Sequence, residues 1–296
     1  MNNYIDNINF NITTHLDNYF KKDDPMLEVC KYSIQNGKKI RPSISMDICN
    51  SLLKSTKNVE FPSLTVEYLH AASLIIDDLP CMDNAKIRRD KPSTHVKFGE
   101  AITQLTSVVF LSLAISSLNI GINIIVNSEE KKEDNMKIGL LLFSKISTIL
   151  GNNGIAGGQL LDLAYTHKEV KGLYKNAISM NDMIIKKTGA LFELSFLIGW
   201  LCGKGDIEKI DDVRNISILF SMMYQILDDI DDFEEDSTDD NKRSKNYAIT
   251  HGKEKSIKDC LEYVDNFNIE IKKLNINSEY FDELMKYVTQ KLHNYT

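Results

Sequence analysis

Two short runs of aspartate are the residues best suited to chemistry. The first is Asp77, Asp78 and Asp83 in LIIDDLPCMD, and the second is Asp228, Asp229 and Asp232 in QILDDIDD. Each run closes an apolar segment and stacks like charge there, where repulsion and desolvation oppose folding unless cations intervene. On a helix, the i to i+4 spacing puts Asp228 and Asp232 on one face about 6 Å apart, close enough to share a hard cation. Pro80 breaks regular helix, and Asp83 follows soon enough to return toward Asp77 and Asp78. An isolated acidic pair at a helix end is ordinarily a solvated surface feature, but the repetition of the pattern favours metal. Clustered carboxylates suit Mg²⁺ rather than zinc. Mg²⁺ retains waters and bridges carboxylates to phosphate oxygens, so two such helices predict a clamped diphosphate whose departure is stabilised electrostatically.

The elements that must position these runs read as helices. Pro is rare, with five in 296 residues. Apolar residues recur at helical spacing over Leu64 to Ile76, Ile138 to Leu150, Leu191 to Leu201 and Ile216 to Leu227. Breaks are predicted at Asn36-Gly37, Ser55 to Pro62, Pro80, Ser128 to Asn135, Gly203 to Gly205 and Glu234 to Asn246. None resembles an interdomain linker, so one all-α domain over 1–296 is expected.

Composition narrows the function. The net charge of -7 argues against nucleic acid or anionic membrane as a general partner. Five scattered cysteines without CxxC spacing fit reduced thiols in a cytoplasmic setting and offer no zinc site. The N-terminal segment has neither signal-peptide nor transit-peptide character and reads as mature sequence. No charged residue lies between Glu100 and Glu129, yet Gln104, Thr106, Ser107, Ser112, Ser116, Ser117, Asn119 and Asn123 interrupt the stretch. A helix covered by protein at a subunit interface is expected there, not a membrane span.

With these motifs in place, the chain resembles the trans-isoprenyl (polyprenyl) diphosphate synthases from Asn36 to about Gly252, most closely the geranylgeranyl type of bacteria and plants. Asp77-Asp78-Leu-Pro-Cys-Met-Asp83 resembles the family's first aspartate-rich motif, and Asp228-Asp229-Ile-Asp-Asp232 its second. Gly37-Lys38-Lys39-Ile-Arg41-Pro42 resembles the GKxxRP motif, which implies that Lys38 and Arg41 hold isopentenyl diphosphate. His70 matches a histidine on the same diphosphate. Arg88 and Arg89 match paired arginines, the first on the allylic and the second on the isopentenyl diphosphate. Lys187 and Thr188 match the KTG motif, whose lysine holds the allylic diphosphate near the nascent cation, and Gln225 matches the glutamine of FQxxDD.

The resemblance implies a single-domain bundle of about ten or more helices around a central cavity. It also implies Mg²⁺, typically three ions with Mn²⁺ as a substitute, and a homodimer. The implied reaction ionises dimethylallyl, geranyl or farnesyl diphosphate, with attack by isopentenyl diphosphate and loss of a proton. Asp77, Asp78, Asp228, Asp229 and Lys187 are the catalytic candidates.

The chain departs from the pattern in places. Asp90 stands where glycine is usual after the arginines and is expected to draw on Arg89. The basic residue after the second motif is left open between Lys242 and Lys245. Ala72 and Ser73, a helical turn before Asp77, occupy the positions where bulk sets product length, and the small Ala72 favours twenty carbons over fifteen. A class I terpene cyclase and a non-catalytic subunit of a heteromeric synthase are the rival readings. The former lacks an isopentenyl site and the latter tends to lose one aspartate motif.

Overall fold

A computed structural model describes residues 2–127 and 132–295. Residues 128–131 of the predicted break at Ser128 to Asn135 lie outside the described residues. The architecture is all-α apart from one two-stranded hairpin, and the chain forms two compact units.

The first unit comprises Met1–Leu141 and Ile198–Gly205. It contains α1 (Asn2–Tyr19), α2 (Pro25–Ile34), α3 (Ile40–Leu53), α4 (Glu60–Asp77), the hairpin strands β1 (Ile87–Arg88) and β2 (Lys91–Pro92), α5 (Thr94–Phe98) and α6 (Glu100–Asn127). The helix starts are legible chemically: Asp24 accepts a hydrogen bond from Met26 N, with Pro25 next in line to begin α2. The spine of the unit is the packing of α4 on α6, which buries Leu64, Tyr68, Phe110 and Leu113 completely. Polar positions in that seam are satisfied, since Thr65 donates to Ala114 O at 3.2 Å and lies 3.0 Å from Ser117 Oγ. Each large apolar side chain so enclosed contributes about 1.5–3 kcal/mol.

The polar residues that weigh against a membrane span in α6 divide between the two sides. Thr106, Ser107 and Ser117 are buried and Gln104, Ser112, Asn119 and Asn123 are exposed, in company with Ile102, Leu105, Val108, Ile115 and Ile124. By length and composition, α6 and the stretch Asn135–Thr166 are apolar enough to cross a membrane.

The hairpin was not legible as strand. Its two central residues, Arg89 and Asp90, have φ of 54° and 61°, the left-handed pair that a two-residue type I′ turn requires. Glycine is the favoured occupant of the second position, so Asp90→Gly should relieve backbone strain worth about 0.5 kcal/mol. A small rise in the urea midpoint is expected; a fall would contradict the turn.

The second unit comprises Leu142–Leu197 and Asp206–Thr296. After α7 (Lys132–Leu150), which begins in the first unit, come α8 (Ile155–Thr166), α9 (Lys168–Lys171), α10 (Met180–Ile184), a π-helical turn at Ile185–Gly189 and α11 (Ala190–Cys202), whose last turns belong to the first unit. Then follow α12 (Ile210–Asp231), α13 (Phe233–Asp236), α14 (Asp240–Arg243), α15 (Tyr247–His251), α16 (Lys253–Lys273) and α17 (Glu279–His293). Its core is an aromatic cluster of Phe192, Phe196, Phe220, Phe267 and Phe281, with ring centroids 5.0–6.3 Å apart. Such pairs add about 0.5–1.5 kcal/mol beyond burial. Gly157-Gly158-Gln159 lies inside α8.

Candidate active site

In the first unit, α4 ends at Asp77 and Asp78 caps it. Pro80 prevents continuation, and the chain turns back so that Asp83 N donates to Asp77 O at 2.9 Å. The expected return of Asp83 toward Asp77 is therefore realised through the backbone. Asp78 is almost wholly buried and accepts from Arg88 Nε at 3.0 Å. Burial alone would lower the Arg88 pKa, but that bond and the charges of Asp78, Asp77 and Asp83 raise it above the usual arginine value.

A second group of charges gathers around His70, seven residues before Asp77 on α4. Arg41 Nη1 lies 3.4 Å from His70 Nε2. Burial, reinforced by Arg41, Arg89, Lys39 and Arg88, pushes the His70 pKa well below its ordinary value, so the ring is neutral at physiological pH. Arg89 donates to Gln35 O at 3.1 Å, and its guanidinium lies where a Cβ on Gly37 would stand, 2.9 Å away. Glycine at 37 thus makes room for Arg89. The expected pull of Asp90 on Arg89 is absent among the described residues: the turn sends Arg89 to Gln35 and Gly37. Of the two lysines in the GKK segment, Lys39 is buried and bonded to Glu67 at 2.7 Å, a structural pair, while Lys38 is exposed. Ala72 is buried, and half-buried Ser73 donates back to His70 O at 2.9 Å.

In the second unit, α12 ends at Asp231 with Asp232 as its cap, whose N–H donates to Asp228 O. Asp229 is 7% exposed. Its carboxylate accepts from Gln225 Nε2 at 2.8 Å and from Tyr247 N at 2.7 Å. Thr188 Oγ1 donates to Gln225 Oε1 at 2.8 Å, so Thr188, Gln225 and Asp229 form one hydrogen-bonded chain. Burial pushes the Asp229 pKa up to about 7; the two N–H donors oppose this, and Asp228 and Asp236 reinforce it. Burial and then Asp236, Glu235 and Asp231 also raise Asp232, against Lys242.

Lys242 and Lys245 take different partners. Lys242 is exposed and pairs with Glu235 at 2.7 Å. Lys245 instead reaches buried Asp162, 2.7 Å away, and Lys187 reaches the same oxygen at 3.2 Å. Lys187 and Thr188 sit on the π-helical turn, an uncommon geometry that often marks functional positions. Gly158 lets α8 approach that turn, since a Cβ there would stand 2.3 Å from Lys187 N.

Both aspartate runs occupy helix C-termini, the negative ends of the helix dipoles, where each acid costs about 0.3–1 kcal/mol and cations are favoured. Carboxylate oxygens in that field fit Mg²⁺. Among the described residues no three His, Cys, Asp or Glu side chains form a complete cage. Mg²⁺ is ordinarily held by one or two carboxylates together with phosphate and water, and the aspartates at these helix ends would supply such carboxylates.

A family profile described as polyprenyl synthetase matches residues 23–253, most of the chain. The chain belongs to the polyprenyl synthetase family. It is 31% identical over 229 residues to geranylgeranyl pyrophosphate synthase 4 of Arabidopsis thaliana, covering 76% of this chain and 55% of that one. It is also 31% identical over 236 residues to the mitochondrial geranylgeranyl pyrophosphate synthase 6 of the same plant, covering 78% and 66%. The chain thus spans less than two thirds of the length of either plant relative. Against a trans-prenyltransferase of African swine fever virus (strain Badajoz 1971 Vero-adapted) it is 30% identical over 274 residues, 91% of this chain and 76% of the other. The crystal structure of an FPP/GFPP synthase from Zymomonas mobilis shares the fold, with TM-score 0.77 and 24% identity over 96% of both chains.

Within this polyprenyl synthetase fold, the sequence reading missed Asp162, Asn246 and Tyr247. Asn246 donates to Asp229 O at 2.8 Å and to Asp236 at 2.9 Å. An acid one turn after Gly158 on a helix whose glycines imply close packing was the available signal for Asp162.

Proposed function

We propose that this polyprenyl synthetase is a short-chain trans-prenyltransferase that condenses an allylic diphosphate with isopentenyl diphosphate to give geranylgeranyl diphosphate. The observation that carries the reading is the gathering of Arg41, Arg88 and Arg89 around His70 beside an aspartate-rich helix end. A chain of net charge -7 that concentrates cations at one place binds a polyanion there. Exposed Lys38 adds a further ammonium for the isopentenyl diphosphate.

Asp77, Asp78, Asp83, Asp228, Asp229 and Asp232 would hold Mg²⁺, which supplies charge neutralisation of the departing diphosphate. The allylic C–O bond breaks, the isopentenyl double bond attacks the resulting cation, and a proton leaves to the departing diphosphate. Arg88 and Lys187 grip the allylic diphosphate. Thr188 and Gln225, fixed by their mutual hydrogen bond, line the place where positive charge develops. Arg88 is shared between Asp78 and substrate, so its ion pair opens as diphosphate arrives.

Residues 1–296 act as one cytoplasmic catalytic domain, a reading supported by free, scattered cysteines. The exposed apolar stripe of α6 is covered by a second copy of the chain, as its polarity supports.

Product length is assigned from Ala72, a small residue before the aspartates at the position whose bulk is expected to set where chain growth stops. Sizing the prenyl alcohols made from labelled isopentenyl diphosphate should return twenty carbons, and a fifteen-carbon end product would overturn the length assignment. Ala72→Tyr should shorten the product to fifteen carbons or fewer while retaining turnover.

A further inference from the structure

The β1–β2 hairpin carries Arg88 and Arg89, and it pairs Ile87 with Pro92 and Arg88 with Lys91 over strands of two residues each. A two-stranded hairpin is marginal in water by itself. Its register also sets Arg88 opposite Lys91, and like charges facing across a pair oppose the pairing. Both difficulties are met at the C-terminal end of α2. The last four carbonyls of a helix lack intrahelical partners. Here Tyr32 O accepts from Lys91 Nζ, Ile34 O accepts from Lys39 Nζ at 2.7 Å, and the capping Gln35 O accepts from Arg89 at 3.1 Å. The negative end of the α2 dipole thus receives Lys91, Lys39 and Arg89 together.

Tyr32 adds two holds through its side chain. Its hydroxyl donates to Pro92 O at 2.6 Å, and its ring takes the Lys91 and Lys97 ammonium groups, each 4.0 Å from the centroid. The ring face attracts cations, so α2 engages the Lys91 charge that would otherwise bear on Arg88. Phe98 meets the same ring edge-on with centroids 5.2 Å apart, and the neighbouring Ser33 Oγ lies 3.0 Å from Thr94 Oγ1. None of these side-chain contacts uses an arginine. They persist when substrate draws Arg88 from Asp78 and Arg89 from Gln35.

We propose that Tyr32 is a positioning residue, which docks the arginine hairpin on α2 and so aims Arg89 at the isopentenyl diphosphate. The proposal rests on the prenyltransferase reading above and deepens it. Arg88 has a separate hold in Asp78, so the loss of Tyr32 falls on Arg89. Tyr32 acts through the hairpin and not on the reacting atoms.

The test uses the full chain with Mg²⁺ and compares Tyr32→Leu, Tyr32→Phe, Arg89→Gln and the double variant of Tyr32→Leu with Arg89→Gln. Tyr32→Leu should raise KM for isopentenyl diphosphate about tenfold and leave kcat and KM for the allylic diphosphate within about twofold. Tyr32→Phe keeps the ring and loses only the hydroxyl, so its rise should be about threefold. On the Arg89→Gln background, Tyr32→Leu should add less than about twofold, because it acts through that side chain. Equal rises in both KM values, full additivity with Arg89→Gln, or a Tyr32→Phe loss as large as that of Tyr32→Leu would overturn the proposal.

Amide hydrogen exchange reads the docking without turnover. Peptides covering residues 85–93 should exchange about tenfold faster in Tyr32→Leu, while α12 is unchanged. Equal hairpin exchange in wild type and variant would count against the positioning role alone. Failure of the wild-type chain to elongate, with hairpin exchange quickened in the variant, would count against the prenyltransferase reading alone.

Discussion

Gly158→Ala is expected to reduce turnover by about a hundredfold or more while the chain still folds as helix. The added Cβ would stand 2.3 Å from Lys187 N, 2.6 Å from Lys186 C and 2.6 Å from Lys187 Cα, all of them backbone atoms. No rotamer change can relieve such contacts, so α8 or the π-helical turn must move. Overpacking of this kind costs about 1–3 kcal/mol. The displacement falls on the segment that aims Lys187 and Thr188, where an error of about 1 Å is enough for the expected loss. The fitting control is Gly172→Ala, whose Cβ would meet only Lys168 O and Glu169 O at 3.4 and 3.5 Å and which should be silent. Steady-state kcat with helical content by circular dichroism separates misplacement from unfolding. Full activity in Gly158→Ala would show that the close approach of α8 is not needed.

The second large effect is expected at Asp229. Asp229→Asn keeps the shape but turns one of two acceptors into a donor, facing either Gln225 Nε2 or Tyr247 N–H, both of which already donate. It also removes a charge proposed to hold Mg²⁺, and kcat should fall about a thousandfold.

The same residue carries a pH signature. Its pKa is raised from 3.8 to about 7 in the folded chain. A raised acid pKa means that the folded state holds its proton more tightly. The stability it lends is therefore complete below pH 3.8 and is lost as pH rises toward about 7. Metal-free wild type should thus lose stability over that window, Asp229→Asn should lose less, and added Mg²⁺ should stabilise the wild type more at pH 8 than at pH 6. Thermal melts at graded pH check all three. Equal slopes in wild type and variant would contradict the burial of the charge.

Much of this was readable in the residues. The helices followed from apolar periodicity, so Leu64 to Ile76 and Ile216 to Leu227 fell inside α4 and α12, which end in aspartates as expected. The turn-back of Asp83 followed from Pro80. What escaped were features that depend on contacts between distant segments. The sharing of Asp162 by Lys187 and Lys245 joins residues up to 83 positions apart, which no local pattern encodes. The π-helical turn at Lys187 packs against α8 at Gly158 and reads locally as ordinary helix. The β1–β2 hairpin was hidden because Arg89 and Asp90 are not the Asn-Gly pair that usually announces a type I′ turn. The adjacent lysines 38 and 39 look alike in sequence, and only burial against Glu67 tells the structural one from the exposed one.

The central claim, that the chain by itself extends an allylic diphosphate with isopentenyl diphosphate, is tested most directly by one measurement. Purified protein is incubated with labelled allylic diphosphate and Mg²⁺, with and without isopentenyl diphosphate, and the products are separated by length. Longer linear prenyl diphosphates that form only when isopentenyl diphosphate is present, and that vanish on chelation of the metal, are the predicted result. Cyclic hydrocarbon from the allylic substrate alone, or elongation only after a partner chain is added, would contradict it.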